Sequence, residues 1–407
     1  MIQTSGRVCA NCGTALAPNA TFCSNCGKPY YPTPIPHNGS GVASQAYAGY
    51  NTVPSTNTPG VLRKRSRTGL IITIICMFLL LAIIGGGLVV FVIPRFQHSN
   101  STTSKSNMPA VPQLTIKPYT YTGHTSVVWQ VAWSPNGKLI ASSGGLNDDS
   151  VQIWNAETGK KQASFQDYAI VNAVAWSPDS KYVASGGNSY TVDVINATSG
   201  DRVISYKGHK DAILSIAWSP DGKYIASAGY DKTVQIWNAL TGDPIRTYQG
   251  HTNYVTSIAW SPDGKLIASA SYDGTVQIWN ASNGSLAQTY KGHNGRVYAL
   301  AWSPDGKQIA SGGDDQTVRI WNAQTGQTST VFSQHKGSVS SIAWSPDGKR
   351  IASASYDKTV QVWDPNKTHV YAYTAHTDYV YSVVWSPDSQ YIASASADHT
   401  VHVWKPE

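Results

Sequence analysis

Two hydrophobic patterns divide the chain. From residue 114 onward, short apolar runs are separated by polar turns, and within a run successive residues alternate in character, as at residues 258–260, 266–269 and 275–279. This alternation is typical of short, half-buried β-strands. Upstream, residues 69–93 form a run of 25 residues without a charged side chain. The chain is therefore predicted to combine many short strands with one long apolar helix.

The apolar run has the length of a membrane span. At 1.5 Å per residue it would extend about 37 Å, enough to cross a hydrocarbon core of about 30 Å with some tilt. Four cations stand directly before it, at Arg63, Lys64, Arg65 and Arg67, and fewer follow, at Arg95 and Lys105. The positive-inside rule then places the N-terminus in the cytoplasm. A buried core helix and a cleaved signal peptide are the alternatives, and the length and position of the run disfavour both.

The strand region is a sevenfold repeat. The tripeptide Trp-Ser-Pro recurs at spacings of 41 to 43 residues and begins at Trp133, Trp176, Trp218, Trp260, Trp302, Trp344 and Trp385. The pattern within each repeat predicts four strands. The first and second are joined by a Ser-Pro-Asp-Gly-like turn and the second and third by an Asp-containing turn; the third strand ends in Trp, and the fourth precedes Gly-His. Because Ala precedes the Trp in six of the seven repeats and a large residue precedes the Ala, each sheet is predicted to have a small and a large face. Such sheets can pack face to face around a ring.

The period, the Gly-His opening and the Trp ending resemble the WD-repeat family of β-propellers over residues 114–407. The resemblance implies an all-β, seven-bladed propeller. The last repeat stops after a third strand, and residues 114–122 precede His124 as residues 245–249 precede His251. Blade seven is thus predicted to be composite, with residues 114–122 pairing against residues 399–404. This pairing would close the ring.

The resemblance also implies a hydrogen-bonded His, Ser, Asp and Trp tetrad in each blade. Six sets match: His124, Ser142, Asp148, Trp154; His209, Ser227, Asp231, Trp237; His251, Ser269, Asp273, Trp279; His293, Ser311, Asp315, Trp321; His335, Ser353, Asp357, Trp363; and His376, Ser394, Asp398, Trp404. One Ser, His and Asp set would suggest a hydrolase, but six copies indicate a structural device.

Two blades depart from this pattern. Blade two has Asp167, Ser189 and Ile195 at the His, Asp and Trp positions, so its tetrad is predicted to be absent. It is either a degenerate blade held by its neighbours or a blade specialised for a partner. Blade one has two extra residues in its Asp turn, around residues 144–147, which should lengthen a rim loop.

Charge is distributed unevenly. The net charge is +7, but residues 1–113 hold 8 Lys and Arg and no Asp or Glu, which leaves 22 Lys and Arg against 23 Asp and Glu in the other 294 residues. The repeat region is therefore nearly neutral, which disfavours a nucleic-acid partner there. All five cysteines lie before residue 77, so disulfides are excluded from the repeats.

Four of these cysteines have metal-ligand spacing. Cys9 and Cys12, then Cys23 and Cys26, form two Cys-x-x-Cys pairs, each followed by Gly. They resemble the zinc-ribbon family over residues 7–30, and four thiolates would fill a tetrahedral site, so a structural Zn²⁺ is predicted. Two disulfides are the alternative and would require an oxidising compartment. Nucleic-acid binding by the ribbon is disfavoured because the segment has only two cations, Arg7 and Lys28.

The predicted organisation has five parts. They are a zinc ribbon (residues 1–30), a disordered linker with the basic juxtamembrane cluster (31–68), a transmembrane helix (69–93), a second linker (94–113) and the propeller (114–407). The protein is expected in the cell membrane as a single-pass protein, with its N-terminus in the cytoplasm and the propeller outside.

Rim turns vary between repeats and are the expected binding surface. The candidate partner-binding residues are Tyr230, Tyr254, Tyr272, Arg296, Tyr356 and Tyr379, and Tyr298 stands at a comparable rim position four residues before Trp302. By resemblance, WD-repeat propellers bind peptides and proteins with these loops; alternatively, each Tyr only caps the blade beneath it.

The sequence thus predicts a non-enzymatic scaffold or sensor without a small-molecule substrate. The alternatives are a propeller enzyme of hydrolase or lyase type acting at the channel mouth, and a membrane-tethered zinc ribbon that binds nucleic acid.

Overall fold

The computed structural model describes residues 114–167, 169–365 and 370–406. Its strands form seven four-stranded antiparallel sheets, which confirms the seven predicted blades. No helix within these ranges is long and apolar enough to span a membrane. The predicted zinc ribbon, both linkers and the predicted span at residues 69–93 lie outside the described residues, so they stay predictions.

The first strand, β1, covers Tyr119–Tyr121. Blade 1 contains β2 to β5, at Val128–Trp133, Leu139–Gly144, Ser150–Asn155 and Lys161–Gln166. Blade 2 contains β6 to β9, at Val171–Trp176, Tyr182–Gly187, Val192–Asn196 and Arg202–Tyr206. Blade 3 contains β10 to β13, at Ile213–Trp218, Tyr224–Gly229, Val234–Asn238 and Pro244–Tyr248.

Blade 4 contains β14 to β17, at Val255–Trp260, Leu266–Ser271, Val276–Asn280 and Leu286–Tyr290. Blade 5 contains β18 to β21, at Val297–Trp302, Gln308–Gly313, Val318–Asn322 and Thr328–Phe332. Blade 6 contains β22 to β25, at Val339–Trp344, Ile351–Ser355, Val360–Trp363 and Val370–Tyr373. Blade 7 contains β26 to β28, at Val380–Trp385, Ile392–Ser396 and Val401–Trp404, together with β1.

Blade 7 closes the ring as predicted. The innermost strands contact one another in turn from β2 to β26, and β26 contacts β2. The outer strand of blade 7 is β1, which pairs antiparallel with β28 in the register Tyr119↔Val403, Thr120↔His402 and Tyr121↔Val401. The preceding residues are fixed too, because the Leu114 amide donates to the Asp388 carboxylate over 2.9 Å. The two ends of the propeller sequence are thus joined in one sheet.

The core lies between the blades, in seven clusters that each combine two neighbouring sheets. Between blades 3 and 4, the small Ala226 and Ala228 of β11 face the large Ile258 and Ile267 of the next blade. All four side chains are at most 6% exposed. The small and large faces predicted from the alternation therefore pack against each other, and burial of this apolar surface stabilises the ring.

The Ala-Trp-Ser-Pro segment also links the blades by hydrogen bonds. The indole N–H of Trp260 donates to the carbonyl of Ala217 in the preceding blade over 3.2 Å. The same bond, at 3.1–3.2 Å, joins Trp176 to Ala132, Trp218 to Ala175, Trp302 to Ala259 and Trp385 to Ala343. The repeated tripeptide is thus an inter-blade contact, a role that the sequence pattern alone did not reveal.

Candidate functional site

The His, Ser and Asp predicted in six blades are hydrogen-bonded in every one of them, and the Trp completes the tetrad in four. In each, the His Nδ1–H donates to the Asp carboxylate over 2.8–3.1 Å, and the Ser hydroxyl donates to His Nε2 over 2.7–2.8 Å. Four indoles then donate to the Ser oxygen over 3.1–3.3 Å, from Trp154, Trp237, Trp321 and Trp404. In the described blades 4 and 6, the indole nitrogens of Trp279 and Trp363 are buried without a partner.

This hydrogen-bond order is also that of a Ser-His-Asp catalytic triad, but the nucleophile position is closed. The tetrad serines are 0% exposed, at Ser142, Ser227, Ser269, Ser311, Ser353 and Ser394. A nucleophile must reach a substrate carbonyl, and no substrate can reach an oxygen buried under a Trp side chain. These six sets therefore hold the blades together and do not support a hydrolase.

The tetrad carboxyls are held in the ionised form. Burial alone would raise the pKa of Asp231, but hydrogen bonds from His209 and Thr233 outweigh it and lower the pKa to about 2. Burial is likewise opposed by His251 and Thr275 at Asp273, and the pKa of that carboxyl falls below its usual range. Ionised acceptors make these bonds stronger than neutral ones.

Each tetrad Trp is covered by an aromatic ring from the blade before it. The ring ends the outer strand of that blade and stacks on the indole with centroids 4.1–4.6 Å apart and planes within 9°. The pairs are Tyr121 on Trp154, Tyr206 on Trp237, Tyr248 on Trp279, Tyr290 on Trp321, Phe332 on Trp363 and Tyr373 on Trp404. Stacking of this kind adds to the energy of burial. The tetrads thus fix each blade to its neighbour.

Blade 2 lacks the polar tetrad, as predicted. Ile195 occupies the Trp position, and the hydroxyl of Ser189 donates to Asp167 over 3.4 Å where other blades have an Asp and His pair. A different polar contact occurs instead, between the buried Asp193 and Arg202 over 3.1 Å. The junction between blades 1 and 2 therefore has, in the described residues, no aromatic ring stacked on a Trp. Val151 and Ile153 pack against Val171, Val174 and Trp176 there, and the hydrogen bond from Trp176 to Ala132 joins the two blades.

The turn of blade 1 departs from the others as predicted. Asp148 follows Ser142 by six residues, whereas Asp273 follows Ser269 by four. The extra residues place Leu146 at the surface, with 53% of the side chain exposed. This blade therefore has a rim loop with an apolar tip.

The predicted rim tyrosines, together with Tyr381 and Trp129, form one continuous surface, here called the aromatic belt. Its members are Tyr230, Tyr254, Tyr272, Tyr298, Tyr356, Tyr379, Tyr381 and Trp129. Ring centroids are 4.6 Å apart for Tyr230 and Tyr254, 5.6 Å for Tyr254 and Tyr272, and 5.4 Å for Tyr272 and Tyr298. The series continues at 6.1 Å from Tyr298 to Tyr356 and at 5.2 Å from Tyr356 to Tyr379. It ends with Tyr356 to Tyr381 at 5.7 Å and Tyr381 to Trp129 at 4.5 Å.

The belt spans blades 3 to 7 and blade 1, and it is partly open to solvent. Tyr379, Tyr230 and Tyr254 are 45%, 37% and 36% exposed, while the other rings are half-buried against one another. The rings thus pack against one another above their blades, and three of them also present an exposed edge. Burial raises the pKa of Tyr381 to about 12, so its hydroxyl stays a neutral donor.

Charged groups flank the belt in pairs. The Arg296 guanidinium lies 4.9 Å from the ring centroid of Tyr272, a cation–π contact, and its Nε is 3.8 Å from the Asp314 carboxylate. Lys358 is 3.7 Å from Asp378 beside Tyr379. These exposed pairs are weak, so an incoming partner could replace them.

Two belt residues, Tyr381 and Trp129, were not among the sequence candidates. Both are the second residue of an innermost strand, a position that Tyr298 fills in blade 5. Comparing that position across the repeats would have found them. All three line the central channel, a cavity of about 540 Å³ enclosed by the innermost strands of all seven blades. The belt therefore continues into the mouth of the channel.

The predicted zinc ligands Cys9, Cys12, Cys23 and Cys26 lie outside the described residues. Within the described ranges, His376, Asp398 and His402 bring their ligand atoms within 4.8 Å of one another. The two imidazoles stack with centroids 3.9 Å apart and planes at 14°. A metal in the plane of one ring would lie out of the plane of the other, so the pair is a poor chelate.

The fold, the tetrads and the inter-blade stacks define a WD-repeat β-propeller. Comparison with known families agrees. A model for the WD domain, G-beta repeat matches residues 116–155, 159–195 and 367–405. A model for the WDR19 first beta-propeller matches residues 214–374. A zinc-ribbon domain model matches residues 8–29, which include all four predicted ligands. The chain therefore contains a WD-repeat propeller and an N-terminal zinc-ribbon domain.

One curated relative shares a short stretch with this chain. It is a protein of Nematostella vectensis described as "Probable cytosolic iron-sulfur protein assembly protein CIAO1 homolog", and it is 54% identical over 39 residues. The match covers 10% of this chain and 11% of that protein. The matched stretch of 39 residues is about one repeat long, so the similarity extends over a single repeat.

Proposed function

We propose that this protein is a membrane-anchored scaffold or sensor whose propeller binds a protein or peptide partner on the aromatic belt. The observation that carries the proposal is the continuity of the belt, with eight aromatic rings in contact across six blades. WD-repeat propellers are typically protein-interaction scaffolds, and the belt is the part of this propeller best suited to that role.

The chemistry of the belt supports a polypeptide partner. Aromatic side chains with a polar tip give large contact area at small loss of side-chain entropy, and they are enriched where proteins bind one another. The exposed edges of Tyr230, Tyr254 and Tyr379 supply apolar area. The tyrosine hydroxyls and the Arg296 and Asp314 pair can satisfy backbone groups of an extended segment.

A non-enzymatic role fits the tetrads better than catalysis does. The six Ser, His and Asp sets are closed to substrate, and no described residue outside them favours a hydrolase or lyase at the channel mouth. The alternative of a ribbon that binds nucleic acid has only Arg7 and Lys28 in its favour. The role named for the Nematostella relative is not proposed for this chain, because the match covers so little of either protein.

Anchoring is proposed from the sequence. The uncharged run at residues 69–93 is the proposed span, and its four N-terminal cations are the reason to propose a cytoplasmic ribbon and an extracytoplasmic propeller. The thiolates of Cys9, Cys12, Cys23 and Cys26 are the proposed ligands of a structural Zn²⁺ that would hold the ribbon folded. Protease added to intact cells tests the topology: loss of a C-terminal tag with survival of the ribbon is expected, and protection of the tag until lysis would contradict it.

Binding is tested with random peptides displayed on phage and selected on the purified full-length protein. We expect selected peptides to bind at least about tenfold more weakly to Tyr254→Ala and to Tyr379→Ala, because each change removes an exposed ring from the belt. Affinities measured by fluorescence anisotropy, together with unchanged melting temperatures, would separate lost contact from unfolding.

The matched control is Leu240→Ala. Leu240 is 61% exposed but lies in the turn between β12 and β13, at the opposite end of blade 3 from Tyr230. It should leave peptide binding unchanged. Full binding by both Tyr variants, or equal loss in all three variants, would remove the belt as the binding surface.

A further inference from the structure

Blade 7 differs from most blades at one buried position. The residue opposite the tetrad Ser on the third strand is Gln152, Gln235, Gln277 and Gln361 in blades 1, 3, 4 and 6, and His402 in blade 7. In blade 3, Gln235 accepts a bond from the Tyr206 hydroxyl over 2.8 Å and donates to the Gly208 carbonyl over 3.2 Å. Glutamine has no charge at any pH, whereas histidine gains one near neutrality.

His402 lies in a site that fits a neutral ring. It is 9% exposed, its Nδ1 is 3.0 Å from the Tyr373 hydroxyl, and it stacks on the tetrad His376 at 3.9 Å. Asp398, in the turn before β28, is already bonded by His376 and Thr400. The register partners of His402 on either side, Thr120 and Ser394, are uncharged.

His402 lies in the sheet that closes the ring, so a charge there affects the closure. It is a residue of β28, the strand that pairs with β1 and so joins the two ends of the propeller sequence. Elsewhere each blade is formed by strands consecutive in the chain. A charge at this position therefore acts on the one sheet whose strands are far apart in sequence.

We propose that protonation of His402 weakens the closure of the ring at blade 7, which makes the propeller acid-sensitive at this blade. The added charge would be buried against a second imidazole, in a place where four other blades have an uncharged glutamine. Arg319 fills the position in blade 5, but its side chain is 23% exposed and ion-paired with Asp315 over 3.6 Å. His402 has a shorter side chain that is stacked on His376, so it cannot reach solvent or an ion-pair partner as Arg319 does.

The direction of the pH effect follows from linkage. Burial is the main cause that lowers the pKa of His402 from 6.5 to about 4, His376 adds to it and Asp398 opposes it. The unfolded chain therefore takes up this proton first as the pH falls, so stability is complete above pH 6.5 and is lost between 6.5 and about 4. The tetrad carboxyls lose their contribution only at lower pH, since the pKa of Asp231, for example, is about 2.

The test compares melting temperatures at pH 7.5 and 5.0 for the full-length protein in detergent, as wild type, His402→Gln and His399→Gln. His402→Gln installs the residue that blades 1, 3, 4 and 6 have at this position, and His399 is an exposed histidine in the turn before β28. We expect the wild type and His399→Gln to lose roughly 2–5 °C more than His402→Gln on acidification. Equal losses in all three proteins would overturn the proposal.

Hydrogen exchange locates the effect. Acid should raise amide exchange in β1 and β28 more than in β12 and β13, and His402→Gln should remove the difference. Should that variant not fold, an NMR titration of the wild type decides the question, because a His402 pKa near 6.5 would overturn the proposal. Added Zn²⁺ that raises the melting temperature of the wild type but not of His402→Gln at pH 7.5 would replace it with a metal site.

Discussion

Blades 2 and 4 have the same strand arrangement and register, but they differ in their buried polar groups. In both, the first strand meets the second with a register shift near its start, and the tetrad Ser or its equivalent faces the same position, as in Val174↔Ser185 and Ile258↔Ser269. Yet blade 4 has a complete His251, Ser269 and Asp273 set, and blade 2 has none. The alternation of small and large residues is therefore sufficient to form a blade.

The difference lies in how the blade is joined to the one before it. Tyr248 stacks on Trp279 at 4.5 Å across the junction of blades 3 and 4, whereas Ile195 offers no indole to blade 1. The buried Trp side chain gives the outer strand of the preceding blade a flat surface on which its aromatic ring stacks. The comparison thus indicates that the tetrads serve the junctions more than the sheets themselves.

The strongest test removes the side chain that makes the junction. Trp321→Ala should destabilise the protein by about 3–5 kcal/mol, because it leaves a large cavity and removes the stack with Tyr290 at 4.4 Å. Ile195→Ala, at the same position in blade 2, should cost about 2 kcal/mol. Thermal unfolding followed by circular dichroism measures both changes in stability. An equal loss of stability in the two variants would contradict the distinction between junctions with and without a tetrad Trp.

A smaller effect is expected from the tetrad hydroxyl. Ser227→Ala should cost about 1–2 kcal/mol, because it leaves His209 Nε2 and the Trp237 indole N–H buried without their partner. Ser185→Ala is the matched change in blade 2, where neither a His nor a Trp faces the hydroxyl, and should stay within about 0.5 kcal/mol. Chemical denaturation of the two variants side by side checks the ratio; a larger loss for Ser185→Ala would contradict the assignment.

The smallest expected effect is a gain. At the junction of blades 5 and 6, Phe332 replaces the tyrosine found at most other junctions, and the buried Oε1 of Gln361 has no partner in the described structure. Phe332→Tyr should supply the hydroxyl that Tyr121 gives to Gln152 over 2.7 Å, and stabilise the protein by about 1 kcal/mol. A rise of the melting temperature is the readout, and Phe165→Tyr, at the junction that has no tetrad Trp, should give no rise.

Much of the propeller was predictable because its repeat is nearly exact. The tetrad of His251, Ser269, Asp273 and Trp279 recurs at fixed spacing, so one blade identified the others. The closure by β1 was predictable too, since residues 114–122 stand before His124 as an outer strand stands before the other tetrad histidines. The aromatic stacks between blades were not predictable, because Tyr290 and Trp321 are 31 residues apart and neither residue alone signals the other.

The aromatic belt was also predictable only in part. Its rim members Tyr230, Tyr254, Tyr272, Tyr356 and Tyr379 were identified from turn positions, but their contact with one another was not. Tyr381 and Trp129 escaped because they lie inside strands, where an aromatic residue ordinarily indicates core. Only the ring shows that the second residue of an innermost strand faces the channel mouth.

The sequence by itself determined the strands, their number per repeat and the seven repeats, because these depend on spacing along the chain, and the resemblance to WD-repeat propellers implied the tetrads. Tertiary structure alone decided which rings stack across junctions, that the rim tyrosines form one belt, and that His402 lies on His376 at the closing blade. The physical reason is that the aromatic contacts join residues of different blades, and that His376 and His402 are 26 residues apart in the chain. Their distances follow from the curvature of the closed ring, which no local pattern specifies.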